Sequence, residues 1–285
     1  MTIPINGGNF PPISMSDINS DITDGFSLGN NLSAYRGQIY HQKSDGSVGL
    51  FSTGSISIGD FYGRRRVDAG SLNDTTAKVG TYTVPPYRTI SFVLRAGSGG
   101  GGGGGGGTND VNNCAGVGGN NGSAGGRSLL GTSGQNWYLY CDGGGNGTGG
   151  TGANASVSPA NGTNGSDAAN YDTSLSRASA GSLGSGPGGS GRAGGSGGRG
   201  GKLSTVTFTN PVLGGSGPTS GSSLSLEIGA AGGGGGGGAG GNWQVSGNTG
   251  YPAWQPIYSC ARNTPDRNGG NGGDGAGGYL TANWT

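Results

Sequence analysis

Few side chains in this chain are of a kind that makes or breaks bonds. His41 is the only histidine, and it sits in the polar run His41-Gln42-Lys43-Ser44, so it reads as a solvent-exposed residue rather than a catalytic base. Cys114, Cys141 and Cys260 are odd in number and widely spaced. That argues against a disulfide framework and for free thiols in a protein made in a reducing cytosol. No histidine cluster and no cysteine pair has the spacing of metal ligands. Lys202 follows Gly200-Gly201, but Ser196 stands where a phosphate-binding loop needs its first glycine, and Leu203 replaces its Ser/Thr. Arg64-Arg65-Arg66 reads as a solvated or interface feature, and Gly198-Arg199-Gly200-Gly201 is too isolated for an RNA-binding Arg/Gly region. Nothing here supports catalysis or a cofactor.

Recognition chemistry is better represented. Trp137, Tyr138 and Tyr140 lie close together, Tyr171 stands alone in an Asn/Ser/Ala-rich stretch, and Trp243, Tyr251, Trp254 and Tyr258 are spread among prolines. Rigid aromatics flanked by Asn and Ser suit a binding surface, and loops held on a rigid scaffold are where such residues concentrate. These eight residues are the candidate contact set. The competing reading makes them caps or a small core for whatever they flank.

The element that must hold them is glycine. The chain has 74 glycines in 285 residues, most of them after Arg95, against an average usage near 7%. Gly99–Gly107 is an unbroken run. Such composition usually means disorder, yet disordered tails carry high net charge. Here the formal net charge is +1 with 10% charged residues, which also excludes an electrostatic footprint for nucleic acid. No apolar run is long enough to cross a membrane, and Met1–Asn9 lacks the pattern of a signal peptide.

Strands interrupt the glycine. Thr81-Tyr82-Thr83-Val84 ends at Pro85-Pro86. Ile90, Phe92 and Leu94 alternate with Ser91, Val93 and Arg95 to give one clearly apolar face, and Val206/Phe208, Leu224/Leu226/Ile228 and Leu280/Ala282/Trp284 alternate in the same way. A floppy linker would not need half-buried strands. The glycine tracts at 99–107, 116–126, 143–152, 181–201, 229–241 and 269–278 are therefore expected to fold as threefold helices of polyproline type lying side by side. Each glycine costs about 1–2 kcal/mol to order, and each inter-helix hydrogen bond returns about 1 kcal/mol net. One such helix melts alone; a bundle anchored by strands holds.

Residues 1–70 have ordinary composition and an internal echo. Ile13-Ser14-Met15-Ser16-Asp17-Ile18 reappears as Ile56-Ser57-Ile58-Gly59-Asp60-Phe61. Each copy reads as a short strand ending in a capped helical turn. The expected organisation is an N-terminal region (1–70), a linker (71–80) and a glycine-rich domain (81–285). The expected fold class is mostly β and irregular: a small N-terminal region, then a β-strand-anchored bundle of polyglycine-II helices with surface loops.

Three stretches resemble bacteriophage tail fibre proteins. They are Gly80-Thr81-Tyr82-Thr83-Val84-Pro85 before a strand and a polyglycine run, Leu226-Glu227-Ile228-Gly229-Ala230-Ala231-Gly232, and Gly269–Gly278 followed by Tyr279-Leu280-Thr281-Ala282-Asn283-Trp284. The repeated Ile-Ser-x-x-Asp and Phe61-Tyr62-Gly63 are similar to motifs near the N-termini of phage tail components. The tracts with intervening loops also resemble the receptor-binding adhesin at the tip of T-even-like phage long tail fibres, although residues 1–70 and the loops match nothing in it. The resemblance implies a non-enzymatic virion protein, made in the bacterial cytoplasm and homo-oligomeric in the particle. It would dock on other tail proteins through 1–70 and bind a bacterial surface protein or glycan, without nucleic acid or membrane insertion. The alternative is a purely structural tail component that touches no receptor.

Overall fold

A computed structural model describes residues 12–20, 26–42, 44, 47–106, 116–131, 138–152, 160–168, 198–238, 241–246, 257–262 and 269–285. These are mostly β with little helix, in four antiparallel sheets.

The N-terminal region holds one short helix, α1 (Met15–Ser20), two 3₁₀ turns (Leu32–Tyr35 and Ile58–Phe61), and a small sheet of β1 (Ile39–Gln42), β2 (Val48–Leu50) and β3 (Arg64–Arg65) in the order β2-β1-β3. Both halves of the echo are helical turns, not strands, which corrects the reading of Ile13/Met15 and Ile56/Ile58. The cause is a cap. Ser14 N–H donates to the Asp17 carboxylate at 2.7 Å, and Asp17 N–H returns a bond to Ser14 Oγ at 3.2 Å. Ser57 N–H donates to Asp60 at 2.7 Å in the second copy. Ser-x-x-Asp supplies the two residues of a capping box, and this outweighs a two-residue apolar alternation.

The turns deliver Ile18, Tyr35 and Phe61 into one core with Phe26, Tyr40 and Phe51. Tyr35 and Phe61 meet edge to face at 5.0 Å. Arg64 lies over the Tyr40 ring at 4.1 Å. His41, expected in solvent, is buried: its strand is the middle one of three, and its Nδ1 accepts from Arg65 Nε at 2.7 Å.

Beyond residue 70 the strands are β4 (Gly70–Asp74), β5 (Lys78–Thr83), β6 (Thr89–Arg95), β7 (Ser128–Gly131), β8 (Tyr138–Cys141), β9 (Lys202–Thr209), β10 (Ser223–Ile228), β11 (Gly241–Ser246), β12 (Ile257–Arg262) and β13 (Tyr279–Trp284). Two four-stranded sheets, β4-β13-β6-β9 and β5-β10-β7-β8, contribute to one core built on Phe92, Leu94, Leu130, Leu224 and Leu280. The expected linker 71–80 is part of these sheets: Leu72 pairs with Ala282 and Gly80 with Leu226. Both strands lie at sheet edges, where little apolar content is needed, so composition hid β4 and the first half of β5, while 81–83 was already read as extended.

The core tapers along β6 from Ile90 and Phe92 through Leu94 to Ala96, all buried, and then to glycine. Opposite the thin end stand Ser128 and Cys141. Ser128 Oγ donates to Arg95 O at 2.8 Å and accepts from Gly229 N–H at 2.9 Å, while Cys141 Sγ donates to Leu94 O at 3.3 Å. Once intervening side chains shrink this far, the two sheets bond to each other directly.

Candidate functional site

Past that junction, strands run on into glycine segments: β6 into 97–106, β8 into 143–152 and β10 into 229–238, while 116–126 leads into β7 and 269–278 into β13. Segment 97–106 lies among the others, and every residue in it is buried. Its amides sort by threes. Gly97, Gly100, Gly103 and Gly106 donate to Gly126, Ser123, Asn120 and Val117; Ser98, Gly101 and Gly104 donate to Ala276, Gly273 and Gly270; Gly102 and Gly105 donate to Thr163 and Ala160. Carbonyls of Gly97, Gly100 and Gly103 accept from Gly144, Gly147 and Gly150, and those of Ser98, Gly101 and Gly104 from Gly232, Gly235 and Gly238. Gly99 donates to Gly198, as Ala96 does to Gly201, so with 198–201 two neighbours are parallel and four antiparallel.

This packing requires the absence of side chains. A Cβ on Gly102 would overlap the Thr148 carbonyl oxygen, and one on Gly103 the Gly236 oxygen. Where an amide faces the flank, a neighbouring side chain takes it. Gly149 N–H donates to Asn121 Oδ1 at 2.8 Å, Gly237 N–H to Asn271 Oδ1 at 2.8 Å, Gly234 N–H to Asp274 Oδ1 at 2.7 Å and Thr148 N–H to Thr163 Oγ1 at 2.8 Å. Non-glycine residues in the tracts thus replace the partner that a further segment would supply.

The lattice has two distinct ends. At one, Gly97, Gly126, Gly144 and Ala230 adjoin the sheets. At the other, Gly106 bonds to Val117, Gly105 to Ala160, Ala160 to Thr151 and Gly269 to Gly238. The connections 107–115, 153–159 and 239–268 therefore all leave and re-enter the lattice at this second end. The N-terminal region meets the far end of the sheets, where Arg88, just before β6, donates to Gln38 Oε1 at 2.8 Å.

Against this frame the eight candidate residues separate. Trp243 belongs to β11 and Tyr258 to β12, a two-stranded ribbon within the 239–268 connection. Trp243 pairs with Cys260 and Val245 with Tyr258, so positions 243 and 258 share one face of the ribbon. Tyr251 and Trp254 fall in the same connection but outside the described residues. Tyr138 opens β8 opposite Gly131, at the strand end remote from the glycine; Trp137 just before it lies outside the described residues, as does Tyr171. Tyr140 is exposed on β8, and its hydroxyl donates to the Asp142 carboxylate. The described members of the set thus fall on two elements, β8 and the β11–β12 ribbon.

Among the described residues no three His, Cys, Asp or Glu side chains come together as a metal site. Cys141 is a buried thiol in no disulfide; Cys114 lies outside the described residues, as does the Cys260 side chain. Arg199 pairs with Asp167 at 2.6 Å, and Arg127 with Glu227 at 3.0 Å. No helix among the described residues is long and apolar enough to cross a membrane. Two tyrosines in the shared core are perturbed: burial pushes the Tyr82 phenol up to about 12 and raises that of Tyr87 as well.

Sequence reasoning passed over segment 160–168, which joins the lattice beside 97–106 and 143–152. Its signal was period, not abundance: Gly162 and Gly165 stand three apart, matching the three-residue period of the amide bonds along 97–106. No family model, curated protein or solved structure matches this chain.

Proposed function

We propose that this chain is a phage tail fibre or tail-tip protein whose glycine segments form a polyglycine-II bundle presenting receptor-binding loops to a bacterial surface. The three-residue period of the amide bonds supports the polyglycine-II reading, because that helix has three residues per turn and no internal hydrogen bonds. One observation carries the function: three connections, including the aromatic 239–268, converge on the lattice end opposite the N-terminal region. Such polarity suits a protein that is held at one end and recognises at the other. Residues 1–70 dock on other tail proteins, in a homo-oligomer within the virion. Trp243, Tyr251, Trp254 and Tyr258 form the contact group for a surface protein or glycan, while Tyr138 and Tyr140 lie on β8 within a sheet.

The test is adsorption of the labelled full chain to a panel of bacterial strains, with Trp243→Ala/Trp254→Ala beside it. Strain-selective adsorption that is lost in a folded double variant supports the reading. Adsorption unchanged by that variant overturns the contact group. No adsorption by the folded chain to any strain favours the purely structural tail component.

A further inference from the structure

The described residues contain Asn-Gly steps at Asn121, Asn146, Asn161, Asn164 and Asn271. Asn-Gly is the dipeptide most prone to spontaneous loss of ammonia, since glycine offers no side chain to hinder attack by its own nitrogen. The reaction needs that nitrogen to shed its proton and swing toward the asparagine Cγ. An amide held in a hydrogen bond to another segment can do neither until the bond opens.

The lattice holds most of these nitrogens. Gly122 N–H donates to Gly147 O at 3.0 Å, Gly147 N–H to Gly100 O at 2.9 Å and Gly272 N–H to Gly235 O at 2.8 Å. Gly165, after Asn164, is buried. Gly162 differs: its N–H has no acceptor among the described residues, although its neighbours Ala160 and Thr163 donate to Thr151 and Thr148. Asn161 itself is exposed, next to the lattice end where the connections emerge.

We propose that Asn161 is a deamidation site, the fast one among the described Asn-Gly steps, and that the lattice protects Asn121, Asn146 and Asn271. The deprotonated Gly162 nitrogen attacks Asn161 Cγ, the Cγ–Nδ2 bond breaks and ammonia leaves. Water then opens the resulting succinimide to aspartate or isoaspartate. Either product adds a negative charge beside the connections. Isoaspartate also lengthens the backbone by one atom, which a segment end accommodates but a segment middle does not, because the three-residue period would slip. Protection at the other sites therefore preserves the lattice as well as the residue. None of this chemistry depends on what the chain binds.

The experiment is peptide mapping by mass spectrometry of the full chain, aged at mildly alkaline pH, folded and in denaturant. In the folded chain Asn161 should convert at least about tenfold faster than Asn121, Asn146 and Asn271, the margin set by the opening of their neighbours' amides. In denaturant the four should convert at similar rates. Asn161→Gln should remove the early product and leave the slow sites unchanged. Equal rates in the folded chain, or early conversion at Asn121, Asn146 or Asn271, would overturn the proposal.

Discussion

In the N-terminal region Tyr35, Phe51 and Phe61 are fully buried and touch through ring edges and faces. In segment 97–106 the residues are just as buried, but what touches is backbone, amide to carbonyl, on five sides. One region fills space with side chains and the other excludes them. The difference sets what each can tolerate. A side-chain core loses stability in proportion to the volume removed. The lattice has nothing to remove, and it fails by addition, at particular positions.

Substitutions at matched depth test that contrast, and the largest effect belongs to the aromatic core. Phe61→Ala should destabilise the N-terminal region by about 3–5 kcal/mol, read by denaturant unfolding. Amide exchange of Gly97–Gly106 should stay as slow as in the parent, and if it quickens, the two regions do not stand apart. Gly102→Ala should cost about 3 kcal/mol, the upper end for forced overpacking, because the Thr148 carbonyl is backbone and cannot rotate away. Its signature is faster exchange at Gly100–Gly105 with the aromatic near-ultraviolet signal of residues 13–61 intact.

Alkali probes the core that joins the two. With the Tyr82 phenol raised to about 12, the neutral form is favoured in the folded state. Its contribution is complete below the unfolded value of 10.0 and is lost as pH climbs from there toward 12. Thermal unfolding should therefore fall above pH 10. Tyr82→Phe should soften that fall and cost little at neutral pH, since the buried Tyr82 hydroxyl has no hydrogen-bond partner among the described residues. The smallest effect is Gly233→Ala, where an added Cβ meets open space: a change within about 0.5 kcal/mol is expected. A loss as large as that of Gly102→Ala would mean that glycine content, not position, holds the lattice.

The strands legible in advance were those whose alternation is apolar enough to stand alone, such as Ile90-Ser91-Phe92-Val93-Leu94. β4 was not, because at a sheet edge Leu72 is its single large apolar residue. β7 and β8 escaped because each is only four residues long and packs through Ser128 or Cys141, small residues demanded by the narrowing core. The α1 turn was misread because Ile13 and Met15 imitate a strand, whereas the Ser14–Asp17 cap decides the backbone. Aromatics could be picked out by type, but that positions 138 and 140 fall on β8 and positions 243 and 258 on the β11–β12 ribbon depends on which strands lead into which glycine segments. That is long-range information, carried by pairings such as Gly97 with Gly126.

The period of three also sets a rule for length change. Adding or deleting three residues within a glycine segment returns every later amide to the neighbour it faced before. A change of one or two puts the remainder out of step with that period, toward the wrong neighbours. The connections obey no such count, because each only has to bring the chain back to the lattice end in phase. The molecule thus behaves like a text with a reading frame in its scaffold and free verse at its tip: large insertions at 107–115, 153–159 or 239–268 leave the frame unbroken.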